Sequence, residues 1–200
     1  MKARLLCALL VFVALNSMAW VWGDVFVKAL LPTYAWSFEC LTPYFTVEAM
    51  TIDSERGQLF VKVDALTDGR RNLAGKGVAD GIPVSSSTLL GHALQPLILL
   101  LSSIPLWPVK RNWEYVLLCV LSLPVLLLIE VLDTPLVLAG ALEDMVLYSR
   151  DPARLNTSIL VQSMHFMNSG GRLALALLGA GLVRSVQVSL NKFPIHKFVI

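Results

Sequence analysis

Cysteine, histidine and arginine together can build a thiol-based acyl-transfer site, and this sequence holds one such set in its apolar half: Cys119, His165 and Arg172. A thiol nucleophile needs its base within hydrogen-bond reach. Cys119 stands six residues from the start of an apolar run at Trp113, whereas His165 falls in the opposite half of a later run. That layout opposes a catalytic triad. The acids Asp53, Glu55, Asp64 and Asp68 lie in polar, turn-rich sequence. They read as a solvated rim, because splitting two carboxyl pKa values into an acid and a base takes a buried environment. Gly75-Lys76-Gly77 lacks Walker A spacing and a following helix start, so it reads as a polar turn. Cys7, Cys40 and Cys119 form no CxxC or Cys/His cluster, which argues against a disulfide framework or a zinc site. No metal, cofactor or catalytic residue is expected. A formal net charge of +2 gives no argument for nucleic acid.

The residues that remain are charges inside apolar runs. Glu130, Asp133 and Arg172 each cost roughly 2.5 to 3.5 kcal/mol at the centre of a membrane helix on insertion scales, so each needs a partner. Turned through about 100° per residue, Cys119, Ser122, Glu130 and Asp133 share one arc of their helix. Gln162, His165, Ser169, Arg172, Ala176 and Ala180 recur at intervals of three or four and form one stripe of another. The expectation is that Glu130 pairs with Arg172 or His165, with His92 and Gln95 completing a polar cluster. The competing reading has Glu130 and Asp133 reaching the outer interface in a structural role.

The elements that must position these residues are apolar helices. Apolar residues make up 56% of the 200, charged residues 15%, and the mean hydropathy is +0.69. These values lie outside the ordinary range of a soluble domain. The fold class expected is an all-α polytopic membrane protein of about four transmembrane helices with a small extracytoplasmic β-hairpin insert. Residues 1–23 read as an N-terminal anchor or a signal peptide: a basic Lys2 and Arg4 precede an apolar run. Ser17-Met18-Ala19 would serve for cleavage, while Trp20 and Trp22 suit an interfacial belt. Retention is the reading preferred. Residues 24–88 form the insert, and 89–140 a transmembrane hairpin turning at Val109-Lys110-Arg111-Asn112. Residues 141–185 hold an outer amphipathic segment and a last crossing, with a break at Gly170-Gly171, and 186–200 a basic tail.

Within the insert the period changes to two. Phe45, Val47 and Ala49 alternate with polar residues, and after a turn at Ser54-Glu55-Arg56-Gly57 a second run places Leu59, Val61, Val63 and Ala65 on one face. Residues 75–87 read as loop, with a third short strand around Val78. So few residues cannot bury a core alone, which means the hairpin leans on helices, membrane or partner. The positive-inside pattern puts Lys2, Arg4, Lys110, Arg111, Arg184, Lys192 and Lys197 on the cytoplasmic side, so both termini are expected there.

The order of parts resembles the small membrane proteins associated with bacterial exosortases, in particular the exosortase H-associated type. The residues that carry the likeness are Leu41-Thr42-Pro43-Tyr44-Phe45 leading into a hairpin with Gly57-Gln58-Leu59-Phe60-Val61, then Gln95-Pro96-Leu97 running to Pro108. The resemblance implies a helper of a protein-sorting transpeptidase in a bacterial inner membrane and carries over no functional residue. Function is therefore expected to be non-enzymatic: an accessory protein that meets membrane lipid and a membrane protein partner, through the 44–66 hairpin or the 162–180 helix face. The alternatives are a transporter or channel component with a polar path through Glu130, His165 and Arg172, and an integral membrane enzyme.

Overall fold

The computed structural model describes residues 2–68, 72–73, 76–77 and 80–192. The chain is mostly helical, with three long apolar helices and a small three-stranded sheet.

Helix α1 spans Lys2–Leu41 without a break, 40 residues or about 60 Å. From sequence the anchor ends at Gly23 and Val25 to Phe38 reads as an interfacial helix or a re-entrant continuation of the first helix; the structure has one continuous helix through both. Gly23 is a contact point: a Cβ there would come within 2.7 Å of Leu94 Cδ1 and 3.2 Å of Leu90 Cδ2. Asp24 and Lys28, a helical turn apart, pair at 3.1 Å and let the polar step stay helical. The helix ends at Thr42, whose N–H and hydroxyl both donate to Phe38 O, at 2.9 and 2.7 Å, just ahead of Pro43.

Strands β1 (Phe45–Glu55) and β2 (Gln58–Thr67) form the expected hairpin, closed by Arg56 and Gly57 with φ of 51° and 79°. Two positive φ values in a two-residue loop are the type I′ geometry that matches strand twist. A bulge between Val47 and Ala49 interrupts the alternation in β1. After it Met50 and Ile52, not Ala49, carry on the packing against the core, since one extra residue swaps the faces of a strand. Residues Asn72–Leu73 (β3) and Lys76–Gly77 (β4) pair as a separate ribbon, and Val78 lies outside the described residues. The sheet is completed by β5, Pro83–Leu89, which pairs antiparallel with β2 in the order β1-β2-β5. A loop is expected over most of this stretch. Its run of Ser85, Ser86, Ser87 and Thr88 has no apolar alternation, so it is the pairing with β2 that makes it a strand.

Helix α2 (Leu90–Ser103) follows at once, and a 3-10 turn at Ile104–Leu106 ends it where Pro105 cannot continue the ladder. Helix α3 covers Trp113–Arg150, ten residues past the Gly140 at which the sequence suggests an end. Gly140 too is a contact point, since a Cβ would lie 2.6 Å from both Leu160 O and Met164 Cβ. Asp151, held extended before Pro152, stops α3 and starts a 3-10 helix, Pro152–Thr157. Ser158 caps α4 (Ile159–Phe166), accepting from Val161 N at 3.2 Å and donating to Glu143 at 2.9 Å. A π-helical turn, Met167–Gly171, leads into α5, Arg172–Lys192. The helix α5 therefore takes in the first residues of the segment read as tail.

By length and composition, three helical stretches can cross a membrane: Lys2–Leu41, Trp113–Arg150 and Ile159–Asn191. Leu90–Leu106 is apolar but shorter. One core joins the inner face of the sheet (Val61, Val63, Ala65) to Val27, Tyr34 and Phe38 of α1, Leu94 of α2 and Leu138 and Leu142 of α3. A second joins α2, α3 and α5 through Leu100, Leu126, Ile129 and Ala180.

Candidate functional site: buried charges between three helices

Glu130 and Asp133 lie three residues apart on α3, hence on one face, and both are buried. They are held by different helices. Arg172, the first residue of α5, donates from Nε to Asp133 Oδ1 at 3.0 Å and Oδ2 at 2.8 Å, and from Nη1 to Asn168 at 3.2 Å. Glu130 Oε2 instead accepts the hydroxyl of Tyr34, on α1, at 2.6 Å. Alongside, Ser37 donates to Val131 O at 2.5 Å. Among the described residues, Glu130 Oε1 and Arg172 Nη2 have no hydrogen-bond partner.

The pairing expected for Glu130 is thus corrected: its partner is Tyr34, and Arg172 goes to Asp133. Asp133 is fully buried and does not reach outward. His165 is exposed on α4 and takes no part. Its separation from Arg172 follows from Gly170, whose φ of +117° breaks the helix between them. Before the kink the buried positions are Val161, Met164 and Met167; after it they are Gly171, Arg172, Ala176, Gly179, Ala180, Val183 and Gln187. Gln162, His165 and Ser169 therefore lie on the exposed side, and the stripe drawn through all six residues holds only from Arg172 onward. His92 and Gln95 are exposed on α2. His92 lines an open groove of about 440 Å³ with Asn16, Trp20, Gln58, Leu59 and Leu90, between α1, the hairpin turn and the start of α2. On α3 the arc splits as well, with Ser122 buried and Cys119 exposed.

Tyr34 and Asn168 are the members that sequence reasoning misses. A signal for Tyr34 exists: with Ser37 it places two polar side chains one turn apart in an apolar helix, and a buried phenol needs a hydrogen-bond partner.

A second buried polar group ties the far end of the bundle. Glu114, at the start of α3, accepts from Gln187 Nε2 of α5 at 3.2 Å and from Lys110 N at 3.4 Å. Arg184 donates to Gln187 Oε1 and, at 2.9 Å, to Pro108 O. Gln187 is fully buried.

Chemically these arrangements are clamps. Asp133 faces a guanidinium, Glu130 a phenol, and neither is aimed at a thiol or hydroxyl nucleophile paired with a base. Among the described residues no group of three His, Cys, Asp or Glu side chains could hold a metal ion. No protein-family model, curated protein or solved structure matches this chain.

Proposed function

We propose that the chain is a non-enzymatic, multi-pass membrane subunit that works by holding a partner. In this reading α1, α2, α3 and α5 make four crossings of a bacterial inner membrane with both termini in the cytoplasm, α2 relying on its neighbours because it is short. The sheet then lies on the extracytoplasmic side. The observation that carries the reading is the division of the buried acids. Each is bound by a different helix, Asp133 by Arg172 and Glu130 by Tyr34, so the charges fasten α1 and α5 to α3 instead of lining a continuous path. The partner surface is sought on what stays exposed. The 172–180 part of the stripe is turned into the bundle and the inner face of the sheet is packed on helices, while Gln162, His165 and Ser169 stay exposed before the kink. What the 44–66 hairpin still offers is the outer edge of β1, which among the described residues has no neighbouring strand and can accept one from another chain. The order of parts supports an exosortase-type protein-sorting system as the setting.

Purification in mild detergent tests this. A stoichiometric membrane partner, lost when Ser54 on β1, whose N–H meets Asp53 Oδ1 and not β2, is replaced by proline, is the expected result. A protein that stays alone and carries solute into liposomes would overturn it. That second reading, a transport component, is favoured by one observation, the unpartnered Glu130 Oε1 and Arg172 Nη2 in the bundle interior.

A further inference from the structure

We propose that the corner between α2 and α3, closed by the end of α5, binds the phosphate headgroup of an anionic phospholipid. The inference rests on the reading of the chain as a multi-pass membrane protein. Residues 107–112 join two apolar helices, so in a bilayer they sit at its boundary. Lys110 and Arg111 are exposed there and form no ion pair among the described residues. Trp113 beside them is half exposed, with its indole placed where headgroup and acyl chain meet.

The nearest acid does not neutralise the corner. Glu114 is buried, with Oε2 accepting from Gln187 Nε2 and Lys110 N, so it acts on the backbone and leaves the Lys110 ammonium free. Arg184 adds a third cation across the corner and holds it in place by donating to Pro108 O and Gln187 Oε1. Two exposed cations and a third that tethers the loop therefore share a corner whose nearest acid, Glu114, is turned inward. A phosphate diester at the membrane surface is the anion that fits: singly charged, rich in acceptors and carried by the solvent that bathes both flanking helices. Each lysine or arginine near an anionic surface contributes about a fivefold gain in binding.

The test uses the full-length protein in nanodiscs of phosphatidylcholine with a minor share of phosphatidylglycerol, followed by native mass spectrometry of the lipids it retains. Wild type is expected to retain phosphatidylglycerol well above its share, and Lys110→Gln/Arg111→Gln to lose that preference, as is wild type at high salt. Both residues are exposed, so the double variant keeps its fold; equal thermal unfolding of the two proteins verifies this. Equal retention of the two lipids by wild type, or an undiminished preference in the double variant, would overturn the proposal while leaving the membrane reading intact. Full displacement of phosphatidylglycerol by millimolar inorganic phosphate would also overturn it, since the site would then belong to a free anion. A chain that does not enter nanodiscs at all would remove the membrane reading and this proposal with it.

Discussion

Arg172 places its Nε on both carboxylate oxygens of Asp133, at 3.0 and 2.8 Å, and both side chains are all but excluded from solvent. Breaking a buried pair from one side leaves a bare charge and costs about 3–5 kcal/mol, whereas replacing both partners by apolar residues can be neutral. Arg172→Leu and Asp133→Leu are each expected to destabilise by that amount. The double variant should recover most of the loss. Unfolding by denaturant in detergent, read as a double-mutant cycle, checks the coupling; additive losses would contradict the pairing.

Among the described residues, Tyr34 supplies the one hydrogen bond that Glu130 accepts. Tyr34→Phe leaves the buried carboxyl without it, at an expected cost of about 1–3 kcal/mol. Glu130→Gln should leave retention of a partner unchanged if the residue is a clamp. Loss of solute flux in Glu130→Gln would instead favour the transport reading.

Gly140 lets α4 cross α3 closely enough that a Cβ would strike the backbone oxygen of Leu160 at 2.6 Å. Gly140→Val is expected to destabilise by about 1–3 kcal/mol through overpacking. Gly23→Ala should cost less, because the atom it meets is the flexible end of Leu94. Thermal unfolding of the two variants gives the comparison, and the reverse order would contradict these contacts.

Arg56 sits at φ 51°, a left-handed position that costs an ordinary L residue about 1–2 kcal/mol. Arg56→Asn would create the Asn-Gly pair that type I′ turns prefer. The variant is expected to gain up to about 1 kcal/mol. Slower amide exchange in β1 and β2 would register it.

What the sequence made legible was whatever depends on local pattern. The apolar runs gave the long helices, the alternation from Phe45 to Ala65 gave the hairpin, and Gly170-Gly171 marked a real change of backbone. Three kinds of feature were not legible. Gly23 and Gly140 look like stops, because a glycine that ends a helix and one that lets a neighbour approach are identical in sequence. The serine run before α2 carries no strand signal of its own and becomes one by pairing with β2. Within the site, the three charged residues stood out by their cost in an apolar run. Which acid took the arginine depended on the helix rotation set at Gly170 and on a phenol 96 residues away.

The Asp133–Arg172 pair also sets an order of events during synthesis. The two residues are 39 apart, so Asp133 leaves the ribosome unmatched and stays so until the start of α5 has been made, whereas the partner of Glu130, Tyr34, is already present in α1. Closure of the pair thus marks a chain made as far as α5, and a shorter one carries an uncompensated carboxylate in an apolar helix. A chain truncated at Thr157 is expected to be cleared in pulse-chase experiments much faster than one truncated at Lys192, and Asp133→Leu should slow the clearance of the shorter product. The same bond that fastens α5 to α3 would then report to the cell's proteases that α5 had been made and docked.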